Sequence, residues 1–178
     1  MRNICVYCGS SMGNSEIYKE AAKKLAYALV QANKTLIYGG ACCGTMGVLA
    51  DEMLLLHGQV HGVMPTFFED YEVVHTKLTK LTMVKSMSER KTLLLDISDA
   101  FVALPGSYGT MDELFETLAL LQLKKHNKPV VLLNLNRFYD SLIAQLGKMN
   151  QEGFLSLPNK NLLRVVNKVE DIIPVLEV

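Results

Sequence analysis

Three charged side chains are spaced so that they could act on a bound anion or sugar: Arg90, Lys91 and Glu113. Arg90 and Lys91 fall near the start of a predicted helix, where each cation opposes the helix dipole at a cost of about 0.3–1 kcal/mol. They are either solvated charges on an exposed turn, or cations compensated by an anion or a carboxylate partner. Residues that break a local rule after a strand are typical of functional sites.

The spacing of Glu113 leaves two interpretations open. The pattern Thr110-x-x-Glu113 matches a capping box, in which Glu113 only satisfies the start of a helix. Spacing alone favours that structural role. The alternative places the Glu113 carboxylate beside a glycine-rich loop, where it could act on a sugar.

Three loops rich in glycine and small residues give a second indication of chemistry. Each is predicted to join a strand to a helix, so its backbone N–H groups and the helix dipole suit a phosphate. The two longer loops lack the Gly-x-Gly-x-x-Gly pattern and the Gly-Lys-Ser/Thr ending, which argues against a P-loop nucleotide hydrolase. Ordinary turns also contain glycine, but three such loops together favour a phosphate-bearing ligand. The loops are Gly9–Ser11, Gly39–Gly47 and Pro105–Thr110.

The elements that must position these residues alternate between strand and helix. Strands are predicted at Asn3–Cys8, Thr35–Tyr38, Val60–Met64, Leu78–Val84, Ala100–Leu104, Pro129–Leu133 and Asn161–Val166. Helices are predicted at Ser15–Gln31, Thr45–His57, Ser86–Asp96, Thr110–Leu123, Tyr139–Met149 and after Val169, with a loop at Thr66–Thr76. The continuous apolar strands predict an α/β fold, a Rossmann-like three-layer sandwich whose mostly parallel sheet is covered by helices on both faces. Residues 1–178 are expected to form a single nucleotide-binding domain, with ligands beyond the carboxyl ends of the strands.

Composition narrows the choice of partners. The 178 residues contain 18 Lys and Arg against 18 Asp and Glu, which argues against nucleic acid bound through a broad basic surface. No apolar run reaches the roughly 18 residues of a membrane span. The N-terminal segment is too polar for a signal peptide, so we expect no membrane partner and a cytoplasmic location.

The four cysteines form two pairs, Cys5/Cys8 and Cys42/Cys43. The Cys5-x-x-Cys8 spacing is compatible with a metal or redox site. Cys5 lies inside a predicted strand, however, and the neighbouring side chains of Cys42 and Cys43 diverge. Buried reduced thiols are therefore favoured, and no metal is expected.

Two motifs are specific enough to carry a family resemblance: Met87-Ser88-Glu89-Arg90-Lys91 and Pro105-Gly106-Ser107-Tyr108-Gly109-Thr110-x-x-Glu113. Shorter matches are Cys5–Ser11, Tyr38–Gly40, Gly44–Gly47, Met64-Pro65, Glu72-x-x-His75, Gln122-Leu123, Lys128-Pro129 and Glu152–Phe154. Over nearly its whole length the sequence thereby resembles the LOG-type cytokinin riboside 5'-monophosphate phosphoribohydrolases. Bacterial members are often labelled lysine decarboxylase-like, but no motif here indicates the lysine-bound pyridoxal phosphate that such chemistry normally uses.

The resemblance implies an enzyme that hydrolyses the N-glycosidic bond of a purine nucleoside 5'-monophosphate, AMP or an N6-modified AMP, to free base and ribose 5-phosphate. No cofactor is implied. Arg90 and Glu113 match the catalytic residues of the family, and Gly106–Thr110 match its phosphate loop. The implied substrate-binding residues are Gly9, Ser10, Gly40, Gly44, Glu72, Met87, Lys91, Gly106, Ser107, Tyr108, Gly109, Thr110 and Glu116.

Two positions depart from the family pattern. Ser88 replaces the usual His, which bears on substrate choice more than on mechanism. Ser107 replaces the second glycine of the phosphate loop. A side chain there costs roughly 1–2 kcal/mol if the backbone is left-handed, whereas the Ser107 hydroxyl could instead bind the phosphate.

A non-catalytic carrier of a nucleotide or of the molybdenum cofactor is the alternative function on the same fold. The presence of both Arg90 and Glu113 favours the enzyme. A homodimer is expected as well, because apolar side chains run nearly all round the predicted helix over Leu114–Leu123. One contact with the sheet cannot cover them, so the second face needs another helix or another subunit.

Overall fold

The computed structural model describes residues 1–71 and 73–177. Its strands are short apolar runs, which suits a sheet buried on both faces. They are β1 (Asn3–Tyr7), β2 (Thr35–Tyr38), β3 (Val60–Pro65), β4 (Lys80–Val84), β5 (Ala100–Ala103), β6 (Val130–Leu133) and β7 (Leu163–Val166). They form one parallel sheet in the order β4-β3-β2-β1-β5-β6-β7. The order reverses between β1 and β5, which is where such sheets bind ligands.

Helices connect the strands and cover the sheet. They are α1 (Glu16–Gln31), α2 (Gly44–Leu55), α3 (Met87–Ile97), α4 (Tyr108–Gln122), α5 (Asp140–Gln151), α6 (Leu157–Lys160) and α7 (Ile172–Leu176). Short 3-10 turns occur at Thr66–Tyr71, Leu135–Arg137 and Val169–Asp171. Two helix starts have a clear local cause, since the hydroxyls of Ser15 and Ser86 accept N–H groups at the N-termini of α1 and α3.

The sheet separates two apolar cores. Alternate residues of β1 face opposite sides, with Ile4 and Val6 in one core and Cys5 and Tyr7 in the other. The first core is closed by α1, α2 and α7, and the second by α3, α4 and α5. This arrangement confirms the predicted three-layer α/β sandwich.

Several element bounds differ from prediction. The helix α2 ends at Leu55 rather than His57, because His57 adopts a left-handed backbone with φ 59 and Gly58 N–H donates to the Met53 carbonyl. The four-residue helix α6 was missed, and the predicted loop after β3 contains a 3-10 turn. Among the residues described, no helix is long and apolar enough to cross a membrane.

Candidate active site

A cleft of about 500 Å³ opens at the carboxyl ends of β1, β2, β3 and β5. Its polar lining comes from three separate parts of the chain. Ser10 follows β1, Arg90 lies on α3, and Ser107, Thr110 and Glu113 belong to the N-cap and first turns of α4. The sheet thus gathers side chains far apart in sequence at the edge where the order reverses.

Arg90 is buried, with 8% of its surface exposed, and is held at both ends of its guanidinium. Its Nε donates to the Val63 carbonyl over 3.0 Å, and its Nη1 lies 3.2 Å from Glu113 Oε1. The space for the group exists because residue 39 is glycine: a Cβ on Gly39 would lie 2.0 Å from Arg90 Nη2. Of the two interpretations of Arg90, the carboxylate partner is the one observed.

Glu113 lies in the second turn of α4, where burial leaves 8% of its surface exposed. The capping-box prediction is wrong, because α4 begins at Tyr108 with Ser107 as its N-cap, so Thr110 is already helical. Burial raises the pKa of the Glu113 carboxyl to about 7, and the Arg90 guanidinium opposes that rise. The carboxyl is therefore divided between its acid and carboxylate forms near neutral pH, as a general base requires.

The N-terminus of α4 faces the cleft and has no side-chain cap. Within the described residues, no protein acceptor takes the amide N–H groups of Tyr108, Gly109 or Thr110. These groups carry the positive end of the helix dipole, so they suit an anion. Ser107 has φ −110 and ψ −151, an extended backbone that any residue adopts, so its replacement of glycine causes no left-handed strain.

Unlike the N-terminus of α4, the N-terminus of α2 has amide N–H groups that are already hydrogen-bonded within the protein. Thr45 N–H and Met46 N–H donate to the carbonyls of Ser11 and Gly9 over 3.4 and 3.2 Å. Gly44 permits this contact, since it has φ +61 and a Cβ there would lie 2.2 Å from the carbonyl carbon of Ser10. The loop before α2 therefore packs on the loop after β1 and has few amides left for an anion.

The other residues implied by the resemblance fall in different places. Ser10, Met87 and Gly109 line the cleft, whereas Gly9 and Gly106 line an adjoining cavity of about 190 Å³ that shares Ser107. Gly40 has φ +82 and accepts His75 N–H through its carbonyl. Tyr108 is 93% exposed. Lys91 and Glu116 pair with each other outside the cleft, and Glu72 lies outside the described residues.

One wall of the cleft is apolar, and Met87 is the one member of that wall that the family resemblance implied. Both Met46 and Met64 had been noted only as parts of motifs. Met46 lies in the first turn of α2 and Met64 is the next-to-last residue of β3, so both lie at the edge of the sheet where the cleft opens. The wall consists of Cys8, Ala41, Cys43, Met46, Met64, Phe68, Val73 and Met87. Such a surface suits the flat face of a nucleobase.

A short antiparallel contact fixes this wall. Ala41 bridges Val74, and Cys42 N–H donates to the Val73 carbonyl over 2.8 Å. His75 secures the same segment, because its ring accepts Lys77 N–H and its Nε2 lies 3.1 Å from Asp51 Oδ1. His75 of the Glu72-x-x-His75 motif thus has a structural position.

Among the described residues, no group of three or more His, Cys, Asp or Glu side chains is arranged to hold a metal ion, and this includes the cysteines. Cys5 and Cys8 are buried, and burial raises the pKa of the Cys8 thiol to about 12. Cys42 is exposed and Cys43 half-buried, so the prediction of buried thiols holds for one pair and is wrong for the other. The reason is that Cys42 and Cys43 belong to a surface loop at the mouth of the cleft rather than to a strand.

Together, the fold and the cleft define a Rossmann-like α/β protein with a buried Arg–Glu pair beside an open helix N-terminus. A family model described as "Possible lysine decarboxylase" matches residues 46–176. A probable cytokinin riboside 5'-monophosphate phosphoribohydrolase of Oryza sativa subsp. japonica is 40% identical over 99% of this chain and 72% of that protein. One of Arabidopsis thaliana is 38% identical over 97% of this chain and 84% of that protein. The chain belongs to this family, the LOG-type cytokinin riboside 5'-monophosphate phosphoribohydrolases.

Solved structures with the same fold have other names. The molybdenum cofactor carrier protein of Chlamydomonas reinhardtii has a TM-score of 0.72 at 20% identity, over 99% of this chain and 96% of that chain. The molybdenum cofactor binding protein of Rippkaea orientalis has a TM-score of 0.73 at 20% identity, over 99% and 95%. At such identities the likeness establishes the fold alone.

Proposed function

We propose that this protein hydrolyses the N-glycosidic bond of a purine nucleoside 5'-monophosphate, AMP or an N6-modified AMP. The products are the free base and ribose 5-phosphate. The observation that carries the proposal is the buried pair of Arg90 and Glu113 beside the open N-terminus of α4. The relatives named phosphoribohydrolases, at 40% and 38% identity, support the same reaction.

The phosphate is assigned to the start of α4. Amide N–H groups of Tyr108, Gly109 and Thr110 supply donors and the positive end of the dipole. The Ser107 hydroxyl lies at the same end and adds a donor where the family has glycine. Gly9, Gly40 and Gly44 contribute by allowing the backbone conformations of the loops around this point.

The chemistry is assigned to Glu113 and Arg90. Departure of the base leaves positive charge at C1' of the ribose, as in glycoside cleavage. The Glu113 carboxylate stabilises that charge and accepts a proton from the attacking water, whose oxygen bonds to C1'. The electron pair of the broken C1'–N bond leaves with the base, which solvent protonates. Arg90 holds the carboxylate in place and complements anionic groups of the substrate.

The base is assigned to the apolar wall. The side chains of Met46, Met64 and Met87 give an adaptable surface for a purine face. Glu72 is proposed as a further substrate-binding residue from the family motif alone. No metal or redox group is required for this hydrolysis. We also propose one domain over residues 1–178, a cytoplasmic location and a homodimer.

The test is a panel of AMP, GMP, CMP, UMP and N6-prenyl AMP, with release of the base followed by chromatography. Release of adenine or N6-prenyl adenine with ribose 5-phosphate is expected. Adenosine is the matched control, and its specificity constant should be far lower because it lacks the phosphate. Comparable constants for adenosine and AMP would contradict the phosphate assignment, and no release from any nucleotide would contradict the enzyme.

A non-catalytic carrier is the alternative function, because the solved structures named as molybdenum cofactor carrier or binding proteins share this fold. A carrier should bind its ligand without releasing a base. The same panel therefore separates the two functions, provided that binding of AMP is measured in parallel by calorimetry.

A further inference from the structure

Lys91 follows Arg90 on α3, but its ammonium group contacts acids of α4. Its Nζ lies 3.1 and 3.0 Å from the two carboxylate oxygens of Asp112, and Glu116 provides a third oxygen at close contact. An ammonium group has three N–H donors. Three carboxylate oxygens therefore use all of them, which leaves Lys91 without a donor for a nucleotide.

The position of this cluster also separates it from the substrate. Lys91 and Glu116 line a crevice of about 10 Å³, which is the space of about one water molecule. Glu113 and Thr117 line the same crevice from α4. The cluster thus lies behind Glu113, on the side away from the cleft of about 500 Å³.

We propose that Lys91 is a positioning residue of the hydrolysis proposed above: with Asp112 and Glu116 it fastens α3 to α4 and so fixes Arg90 against Glu113. The order of residues makes the coupling direct. Arg90 precedes Lys91 on one helix, and Asp112 precedes Glu113 on the other. Any displacement of the outer contact therefore moves the inner pair, whose atoms Arg90 Nη1 and Glu113 Oε1 lie 3.2 Å apart.

The electrostatics of Glu113 provide a way to test this role. The titratable groups around it are Arg90 and Lys91 on α3, Asp112 and Glu116 on α4, and Cys5, Tyr7 and Cys8 at β1. Burial raises the pKa values of the three β1 groups, so they stay neutral near pH 7. The charge of Lys91 lowers the pKa of Glu113, whereas Asp112 and Glu116 raise it.

Two variants break the same contact from opposite sides. Lys91→Gln removes the cation, and Asp112→Asn/Glu116→Gln removes the two anions. Both should lower kcat for AMP by roughly 10–10²-fold, because the reacting groups are displaced, while the Kd of AMP stays within about threefold. The pH midpoint of kcat/KM should rise in Lys91→Gln and fall in the double variant. Lys91→Arg, which keeps the charge, should restore most of kcat.

Lys148→Gln is the matched control, since it breaks an exposed pair between Lys148 of α5 and Glu152 at the C-cap of that helix, and it should change neither kcat nor the pH midpoint. A Kd for AMP raised about tenfold or more in Lys91→Gln, with an unmoved midpoint, would identify Lys91 as a substrate ligand and overturn the proposal. Wild-type kcat in the double variant would overturn it as well.

A readout without turnover separates this proposal from the function on which it rests. The Arg90 Nε–H bonds to the Val63 carbonyl over 3.0 Å, so its exchange with solvent can be followed by NMR in the free protein. Exchange should quicken in both variants and stay slow in Lys148→Gln. Absence of hydrolysis in the wild type would refute the function alone, whereas unchanged exchange in both variants would refute the positioning role.

Discussion

The Glu113 carboxyl and the Arg90 guanidinium lie 3.2 Å apart, with 9% and 10% of their side chains exposed. An opposite charge at that distance normally lowers the pKa of a carboxyl. Here burial has the larger effect, and the pKa rises to about 7. Desolvation of a buried ion pair often exceeds its Coulombic gain, which explains the direction. Glu113 therefore remains a usable base at the pH of a cell.

Replacing Glu113 by Gln should remove activity while leaving binding intact. The amide keeps the shape and can still accept from Arg90, but it loses the negative charge. Turnover of AMP should fall by about 10²–10⁴-fold, the usual value of a general base. Base release and calorimetry on the same preparations provide the measurement. A folded variant with near-normal turnover would leave the enzyme assignment dependent on Arg90 alone.

The rate should depend on pH through Glu113. The reactive form is the carboxylate, so kcat/KM should rise as pH increases through about 7 and then level off. The profile is measured with AMP from pH 5 to 9, and residual activity of Glu113→Gln is the control, since it should lack this limb. A wild-type profile that is flat across neutral pH would assign the base elsewhere.

For Glu113, the spacing of residues in the sequence is not enough to decide between a structural and a catalytic role. Thr110-x-x-Glu113 fits a capping box as well as a catalytic carboxylate, and the family motif rather than the spacing identified the second role. Only the start of α4 at Tyr108 decides against the cap. The contacts of Lys91 with Asp112 and Glu116 could not be foreseen, because they depend on how two helices pack.

At the scale of elements, the three glycine-rich loops have different roles: one leaves its amides open, one donates amide hydrogen bonds, and one accepts them. The loop before α4 leaves its amides open, whereas the loop before α2 gives Thr45 and Met46 amides to carbonyls of the loop after β1. In the sequence, the glycine content of each loop indicated a phosphate-binding role equally well. The difference arises from which loops lie side by side in the sheet, which local sequence does not specify.

Alternation of strand and helix was predictable, because continuous apolar runs separated by amphipathic segments have few other solutions. The predicted strand bounds lie within two residues of those observed. The helix bounds were also close, but the end of α2, the start of α4 and the end of α5 each differ from prediction by two residues. The start of α3 has only half of a capping box, since Ser86 accepts Glu89 N–H but the Glu89 carboxylate accepts Lys85 N–H instead of Ser86 N–H.

The packing of α3 on β2 gives a prediction for Gly39→Ala. A Cβ at this position would lie 2.0 Å from Arg90 Nη2 and 3.0 Å from Met46 Sδ, so the guanidinium must shift. Turnover of AMP should fall by roughly 10-fold or more, since small misplacements of catalytic groups are costly. Gly147→Ala in α5 is the control, because nothing lies within 4 Å of its added Cβ. Equal turnover in the two variants would contradict the role of Gly39.

At the scale of the whole molecule, the outer face of α4 leaves apolar surface open to solvent. Phe115 is 38% exposed and lines a cavity of about 220 Å³ with Leu118 of α4 and Leu146 and Met149 of α5. Apolar surface of this kind marks interaction sites. In the proposed homodimer, we expect a second copy of the chain to cover this face.

Light scattering at micromolar concentration should give the mass of a dimer. Phe115→Glu should give a monomer, because a carboxylate would be buried in the interface. Tyr27→Glu on α1 is the control, since Tyr27 is also an exposed apolar residue, at 57%, but lies on another helix. A monomeric wild type would refute the dimer, and a dimeric Phe115→Glu would place the interface elsewhere.

The central place of β1 has a consequence for how the chain reaches this structure. Ile4 pairs with Leu36 on one side and with Ala100 on the other, so β1 stays an open edge until β5 has been synthesised. Pairings between residues so distant in sequence form slowly, because a long loop must close before any contact is gained. Unpaired apolar edges also invite association between chains. The cleft is therefore completed late in folding, and truncation before β5 should leave an aggregating fragment rather than a smaller working site.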